Sequence, residues 1–151
     1  MSKFNVVLIE PEIPQNTGNI ARLCACTGAD LYLVGKLGFV LNDKYLKRAG
    51  LDYWDDVNII RINTIEELIA QNSDANFYFL TTKTKTLYTK TSFKENDFFV
   101  FGPESRGIPE TLLNANSEKC LTIPMREGQR SLNLSNSVAI VVYEAIRQLG
   151  L

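Results

Sequence analysis

The chain has 151 residues, 45% of them hydrophobic and 22% charged, with a formal net charge of −1. That length suits one domain with a sizeable core, the near-neutral balance does not announce a nucleic-acid binder, and no apolar run approaches the ~20 residues of a membrane span. The chain holds no histidine, which removes every Ser-His, Cys-His and His-metal mechanism at once.

Val6–Ile9 is a compact apolar run stopped by Glu10-Pro11, as in a buried strand. Pro11–Gly18 reads as a loop with two prolines, and a helix is expected from about Asn19 to Thr27, closed by Gly28. Leu31–Val34 is the next strand, and Asp43–Ala49 resembles a short basic helix ending at Gly50. Val57–Ile62 reads as a strand, and Thr64-Ile65-Glu66-Glu67 is a capping box opening a helix to about Gln71. Phe77–Leu80 and Phe98–Phe101 are apolar throughout, as expected of strands covered on both faces. A short helix over Pro109–Asn114, a last strand over Leu121–Ile123 and a last helix over Leu134–Leu149 complete the chain. Strands alternating with helices predict an α/β fold with a mainly parallel sheet flanked by helices, in one domain over residues 1–151.

Compartment and cysteine use agree with each other. Met1–Asn5 has no signal-peptide character, and Cys24, Cys26 and Cys120 show no CxxC spacing, so a cytoplasmic protein without disulfides or zinc is expected. The charge distribution says more than its sum. Ala75–Lys94 lacks Asp and Glu, while Lys83, Lys85, Lys90 and Lys94 alternate with Tyr78, Tyr88 and Phe93. Lys44, Lys47 and Arg48 form a second basic cluster, and Arg126 with Arg130 a third. Such clusters serve phosphate contact or simply solvation, and composition leaves both open.

Three stretches concentrate polar chemistry. Ile123-Pro-Met leads through Arg126, Gly128 and Arg130 into the last helix by way of Ser131, Asn133, Ser135 and Asn136. One N-cap would account for a single Ser or Asn, but two Ser-Asn pairs beside two arginines exceed that need and point to a ligand. Phe101-Gly-Pro-Glu-Ser-Arg-Gly-Ile-Pro109 sits between a strand and a helix, where ligands lie in open α/β sheets, yet lacks the GxGxxG and P-loop patterns. Glu104 and Arg106 there either pair with each other or face a ligand. Arg22, near the start of the first predicted helix, opposes the helix dipole, which marks either a local conflict of the kind found at functional sites or a plain solvated arginine. The last helix is apolar on more than one side, through Ala139, Ile140, Tyr143 and Ile146 as well as the main stripe. Its second cover is either the rest of this chain or another subunit.

Glu10–Ala25, Phe101–Gly107, Ile123–Met125 and Arg130–Asn136, in that order, resemble the signature motifs of the SPOUT RNA methyltransferases. Leu51-Asp52-Tyr53 and Leu80-Thr81-Thr82-Lys83 are closest to the tRNA (cytidine(34)-2′-O)-methyltransferase branch. The resemblance implies a C-terminal deep trefoil knot, S-adenosyl-L-methionine as cofactor with no metal, a homodimer, and the anticodon loop of tRNA as substrate. It implies cofactor contacts from Leu80, Gly102, Ile123, Met125, Ser131 and Leu132, and a reaction centre at Arg22, Asn16, Glu104 and Asn133. RNA contacts are implied for Arg22, Arg106, Arg130 and Tyr143. Methylation of the wobble ribose, on cytidine and a modified uridine of leucine isoacceptors, is the expected activity. The same chemistry on ribosomal RNA, and RNA binding without turnover, are the alternatives. Arginine is a poor base because its pKa exceeds ~12, so Arg22 is expected to stabilise a developing alkoxide, with water or a substrate phosphate taking the proton.

Overall fold

A computed structural model describes residues 3–41 and 55–151 of the chain. The basic helix expected over Asp43–Ala49, the cluster of Lys44, Lys47 and Arg48, and the Leu51–Tyr53 segment lie outside the described residues. Among those residues the elements are β1 (Asn5–Ile9), α1 (Pro14–Thr27), β2 (Asp30–Val34), β3 (Ile59–Ile62) and α2 (Ile65–Gln71), then β4 (Phe77–Leu80), β5 (Phe98–Phe101), α3 (Glu110–Ala115), β6 (Cys120–Leu121) and α4 (Leu134–Leu149).

The strands form one sheet in the order β3-β2-β1-β5-β4-β6, and each neighbouring pair runs parallel. Both faces are covered, which is why the central strands are apolar without alternation. One face carries Val6, Leu8, Leu31, Leu33, Phe99 and Phe101 against Ile20 and Cys24 of α1 and Val138, Val141 and Val142 of α4. The other carries Val7, Ile9, Phe79 and Val100 against Ile65 and Leu68 of α2 and Leu113 of α3. Phe77 and Phe98 stack with ring centroids 4.3 Å apart. Burial of each valine on the α4 stripe contributes roughly 1.5–3 kcal/mol.

Helix α1 begins five residues before its expected start. Pro14 occupies its first turn, where its fixed φ suits the helix and its missing N–H costs nothing. Asn16, Thr17 and Gly18, read from sequence as loop, are buried inside it. Arg22 therefore lies more than two turns in, too far for the conflict with the helix dipole to carry much weight. Other boundaries moved less. The strand expected from Val57 begins at Ile59, Pro109 caps α3 from outside, and β6 is two residues long. Thr64 accepts a hydrogen bond from the backbone N–H of Glu67 at 3.1 Å, as the capping box requires.

The chain after β6 returns toward the middle of the sheet. Thr122 exchanges backbone hydrogen bonds with Thr86 and Tyr88, and α4 then packs on α1 and β5. Gln148, near the end of α4, accepts from the backbone N–H of Phe93 and donates to the carbonyl of Thr91, both at 2.9 Å. The segment joining β4 to β5 is thus bonded both to the chain entering the last loop and to the end of the last helix. No helix among the described residues is long and apolar enough to cross a membrane.

Candidate active site

Because the strands are parallel, the loops after β1, β4, β5 and β6 all emerge at one edge of the sheet. The strand order reverses direction between β1 and β5, the position where open α/β sheets form ligand crevices. Glu10–Ile13 leaves β1 on one side of that divide, and the loop from Gly102 leaves β5 on the other.

Glu104 joins the two loops. Its Oε1 accepts the backbone N–H of Glu12 at 2.8 Å, and its Oε2 accepts the N–H of Ile13 at 2.9 Å and the side-chain amide of Asn16 at 3.2 Å. Ile13 provides no side-chain cap, so the Glu104 carboxylate, 91 residues away, does the anionic work at the α1 N-terminus. Glu104 and Arg106 do not pair with each other: Arg106 donates to Glu10 at 3.4 Å. The amide of Asn133 donates to Asn16 Oδ1 at 3.2 Å. Asn133 Oδ1 in turn accepts from the Ser135 hydroxyl at 2.6 Å and the Asn136 backbone at 3.3 Å, capping α4. Ser135, Asn133, Asn16 and Glu104 therefore form one directional hydrogen-bond chain ending on a carboxylate, an acceptor-only group that orients each amide behind it.

The geometry tolerates little change. Gly102 is packed so tightly that a Cβ there would lie 2.2 Å from the backbone carbon of Gly107. Glu10 is held at φ +44°, a costly conformation for a residue with a side chain.

Beside this network lies an open cleft of about 470 Å³, between residues 82–87 on one wall and 122–130 on the other. Its lining includes Thr82, Lys85, Leu87, Ile123, Met125 and Arg130. The cleft sits beyond β4 and β6, on the order of 10 Å across the sheet from the β5 loop at the usual strand spacing. The segment after Ile123 lines it, and Asn133 further along reaches Asn16.

Of the expected cofactor contacts, Ile123 and Met125 line the cleft, while Leu80, Gly102, Ser131 and Leu132 lie outside its lining. Leu80 is buried at the end of β4, paired with Leu121. Asn16, Glu104 and Asn133 come together; Arg22 is exposed on α1, about 9 Å beyond Asn16 along the helix axis. Arg130 is on the cleft, Arg106 on Glu10, and Tyr143 is half exposed on the outer side of α4. Glu12 and Thr84 carry no expected role from sequence, whereas Thr82 lies in the Leu80–Lys83 segment and Lys85 in the basic, acid-free run over 75–94. Burial pushes the Cys24 thiol up to about 12, so it carries no thiolate.

The profile of the SpoU rRNA Methylase family matches residues 3–143. The chain belongs to that family. It is 46% identical over 148 residues to the tRNA (cytidine(34)-2′-O)-methyltransferase of Escherichia coli, covering 97% of this chain and 94% of the relative. A solved structure described in terms of 2-OH methylation of C/U34 on tRNA superposes with a TM-score of 0.92 at 40% identity, over 98% of this chain and 97% of that one. The AdoMet-bound rRNA methyltransferase of Sinorhizobium meliloti, 24% identical, shares the fold at a TM-score of 0.86 over 99% of this chain and 58% of that one. Membership in the SpoU family implies a knotted C-terminal half.

Proposed function

We propose that this SpoU-family chain is an S-adenosyl-L-methionine-dependent tRNA (cytidine(34)-2′-O)-methyltransferase. It methylates the ribose of the wobble nucleotide, cytidine or a modified uridine, in leucine tRNAs. It works in the cytoplasm as one domain, without a metal, in a homodimer. The observation that carries the reading is the hydrogen-bond chain from Asn133 through Asn16 to Glu104, which brings three separated motifs to one edge of the sheet.

The cleft beside that chain suits the cofactor. Its volume falls within the usual range of small-molecule sites, with apolar Leu87, Ile123, Pro124 and Met125 beside threonine hydroxyls. Ile123 and Met125 would hold the cofactor, with Leu80, Gly102, Ser131 and Leu132 around it. When bound, it supplies a methyl group activated on a sulfonium. The chain's own task is then alignment, which can lower a barrier by roughly 7–11 kcal/mol, and support for the ribose oxygen as it loses its proton. Glu104 fixes the Asn16 amide, Asn133 ties the cofactor-side loop to it, and Arg22 stabilises the developing alkoxide while water or a substrate phosphate takes the proton. Arg106, Arg130 and Tyr143 contact the RNA.

The dimer reading is supported by the outer side of α4. Val138, Val141, Val142 and Ala145 face the core, while Tyr143 and Leu149 remain exposed, with Ile13 and Leu132 also exposed. A second subunit covering that side would complete an apolar surface that the chain itself leaves open.

The test is mass spectrometry of tRNA nucleosides after incubation of the protein with methyl-labelled cofactor. A labelled 2′-O-methyl pyrimidine at the wobble position is the expected product. Label on a base sinks the reading, and label on ribosomal RNA alone moves it to the ribosome.

A further inference from the structure

Glu12 stands outside the chain of groups that links Asn133 to Glu104, yet both its oxygens are committed. Oε1 accepts the backbone N–H of Ser105 at 2.8 Å, and Oε2 accepts the Ser105 hydroxyl at 2.9 Å. Glu104, next to Ser105, reaches the opposite way and accepts the backbone N–H of Glu12. Each loop therefore gives a carboxylate to the other and receives one on its own backbone. The arrangement has little slack, because a Cβ on Gly38 would lie 2.9 Å from Glu12 Cα, and the Gly38 N–H is bonded to the carbonyl of Pro11. The two Ser105 hydrogen bonds also hold the Glu12 carboxyl below its ordinary pKa, so the grip is charged at neutral pH.

We propose that Glu12 is a positioning residue for methyl transfer: by pinning Ser105 it fixes the direction of Glu104, and through Glu104 the orientation of the Asn16 amide. The inference rests on the methyltransferase reading above. Without the pin, the 103–106 turn is free to rotate, Glu104 loses its alignment with three donors, and the Asn16 amide is free to flip away from Asn133. Glu12 itself touches neither RNA nor cofactor in this scheme. The requirement is for acceptor geometry rather than for a proton or a charge. A glutamine can meet most of it, accepting the Ser105 N–H and donating to the Ser105 hydroxyl oxygen.

Wild type, Glu12→Ala and Glu12→Gln are compared for kcat and KM on tRNA, cofactor affinity by calorimetry and thermal midpoint. Glu12→Ala is expected to lower kcat about 10- to 100-fold, with the KM for tRNA and the cofactor Kd within about threefold of wild type. Glu12→Gln is expected to recover most of that loss. A Glu12→Ala kcat near wild type, or a loss confined to KM or to thermal midpoint, overturns the proposal. So does a Glu12→Gln variant as poor as Glu12→Ala, which would assign the carboxylate a charge or proton role. Wild-type protein that methylates no wobble ribose overturns the functional reading along with the inference; failure confined to the variants overturns the inference alone.

Discussion

The two ends of the sheet both carry buried or half-buried acid groups, and they use them in opposite ways. At the amino end Asp97 is buried; its Oδ1 accepts from Asn76 at 3.1 Å and its Oδ2 from the backbone of Lys94 at 2.7 Å. Asn5 donates to the carbonyl of Asn96, and Lys119 closes over Asn76 and the Tyr78 ring. Every one of these groups is answered from within the chain, although a cleft of about 450 Å³ lined by Asn76, Lys94 and Asp97 opens beside them. At the carboxyl end Glu12 and Glu104 also meet donors from within the chain, but the loops bearing them stay partly exposed beside an open cleft flanked by Arg126 and Arg130. Strain is kept there too, at Glu10. The amino-end network ties residues 94–97 to Asn76 and Asn5, whereas the carboxyl-end network joins the three separated motifs on which the proposed methyl transfer rests.

The largest expected effect comes from Gly102→Ala. Its methyl would meet the Gly107 and Ile108 backbone well inside contact distance. Methylation should become undetectable, with a stability loss of about 3 kcal/mol by urea unfolding. A stable, active variant would mean that the β5 loop is not held as described. Next is Arg22→Ala. Loss of a charge stabilising the transition state should cost kcat about 100- to 1000-fold with little change in unfolding midpoint, and near-normal turnover would remove Arg22 from the reaction.

Asp97→Ala probes the amino end. Two donors lose their acceptor in a buried place, so stability should fall by about 1–3 kcal/mol while kcat of the folded protein is unchanged. A drop in kcat instead would dissolve the division between the two ends. Arg130→Ala, at the carboxyl end, should reduce the slope of log affinity for tRNA against log salt by about 0.7 for each single-strand phosphate that Arg130 neutralises. An unchanged slope would place the RNA elsewhere.

The smallest effect is one of sign. Burial raises the pKa of Asp97 above its ordinary 3.8, so its contribution to stability is full below that value and is lost as pH rises through the raised one. Hydrogen bonds from Ser105 lower the pKa of Glu12 below 4.5, so its contribution is present above that value and is lost as pH falls through the lowered one. Unfolding curves against pH should therefore show Glu12→Gln departing from wild type in slope only on the acid side of 4.5, and Asp97→Asn departing chiefly above 3.8. Slopes of the same sign for both variants would contradict the contrast.

Much of this molecule is written locally. Phe77–Leu80 and Phe98–Phe101 are apolar at every position because both faces are covered, Thr64 caps α2 through a residue three positions away, and the apolar stripe of α4 has the helical period. Each depends on neighbours within a few residues, so each is legible in the one-dimensional pattern. The start of α1 is not, because Pro14 to Gly18 carries turn-forming residues and its N-terminus is completed by Glu104 from the far side of the sheet. Of the candidate site, the sequence determined which polar residues were available and in which motifs they lay. Only the tertiary structure decided that Asn16 meets Glu104 across 88 residues and Asn133 across 117, that Glu12 closes on Ser105, and that Arg106 pairs with Glu10. Hydrogen bonds of that range are set by strand order in a parallel sheet, which brings loop ends together whatever their separation along the chain.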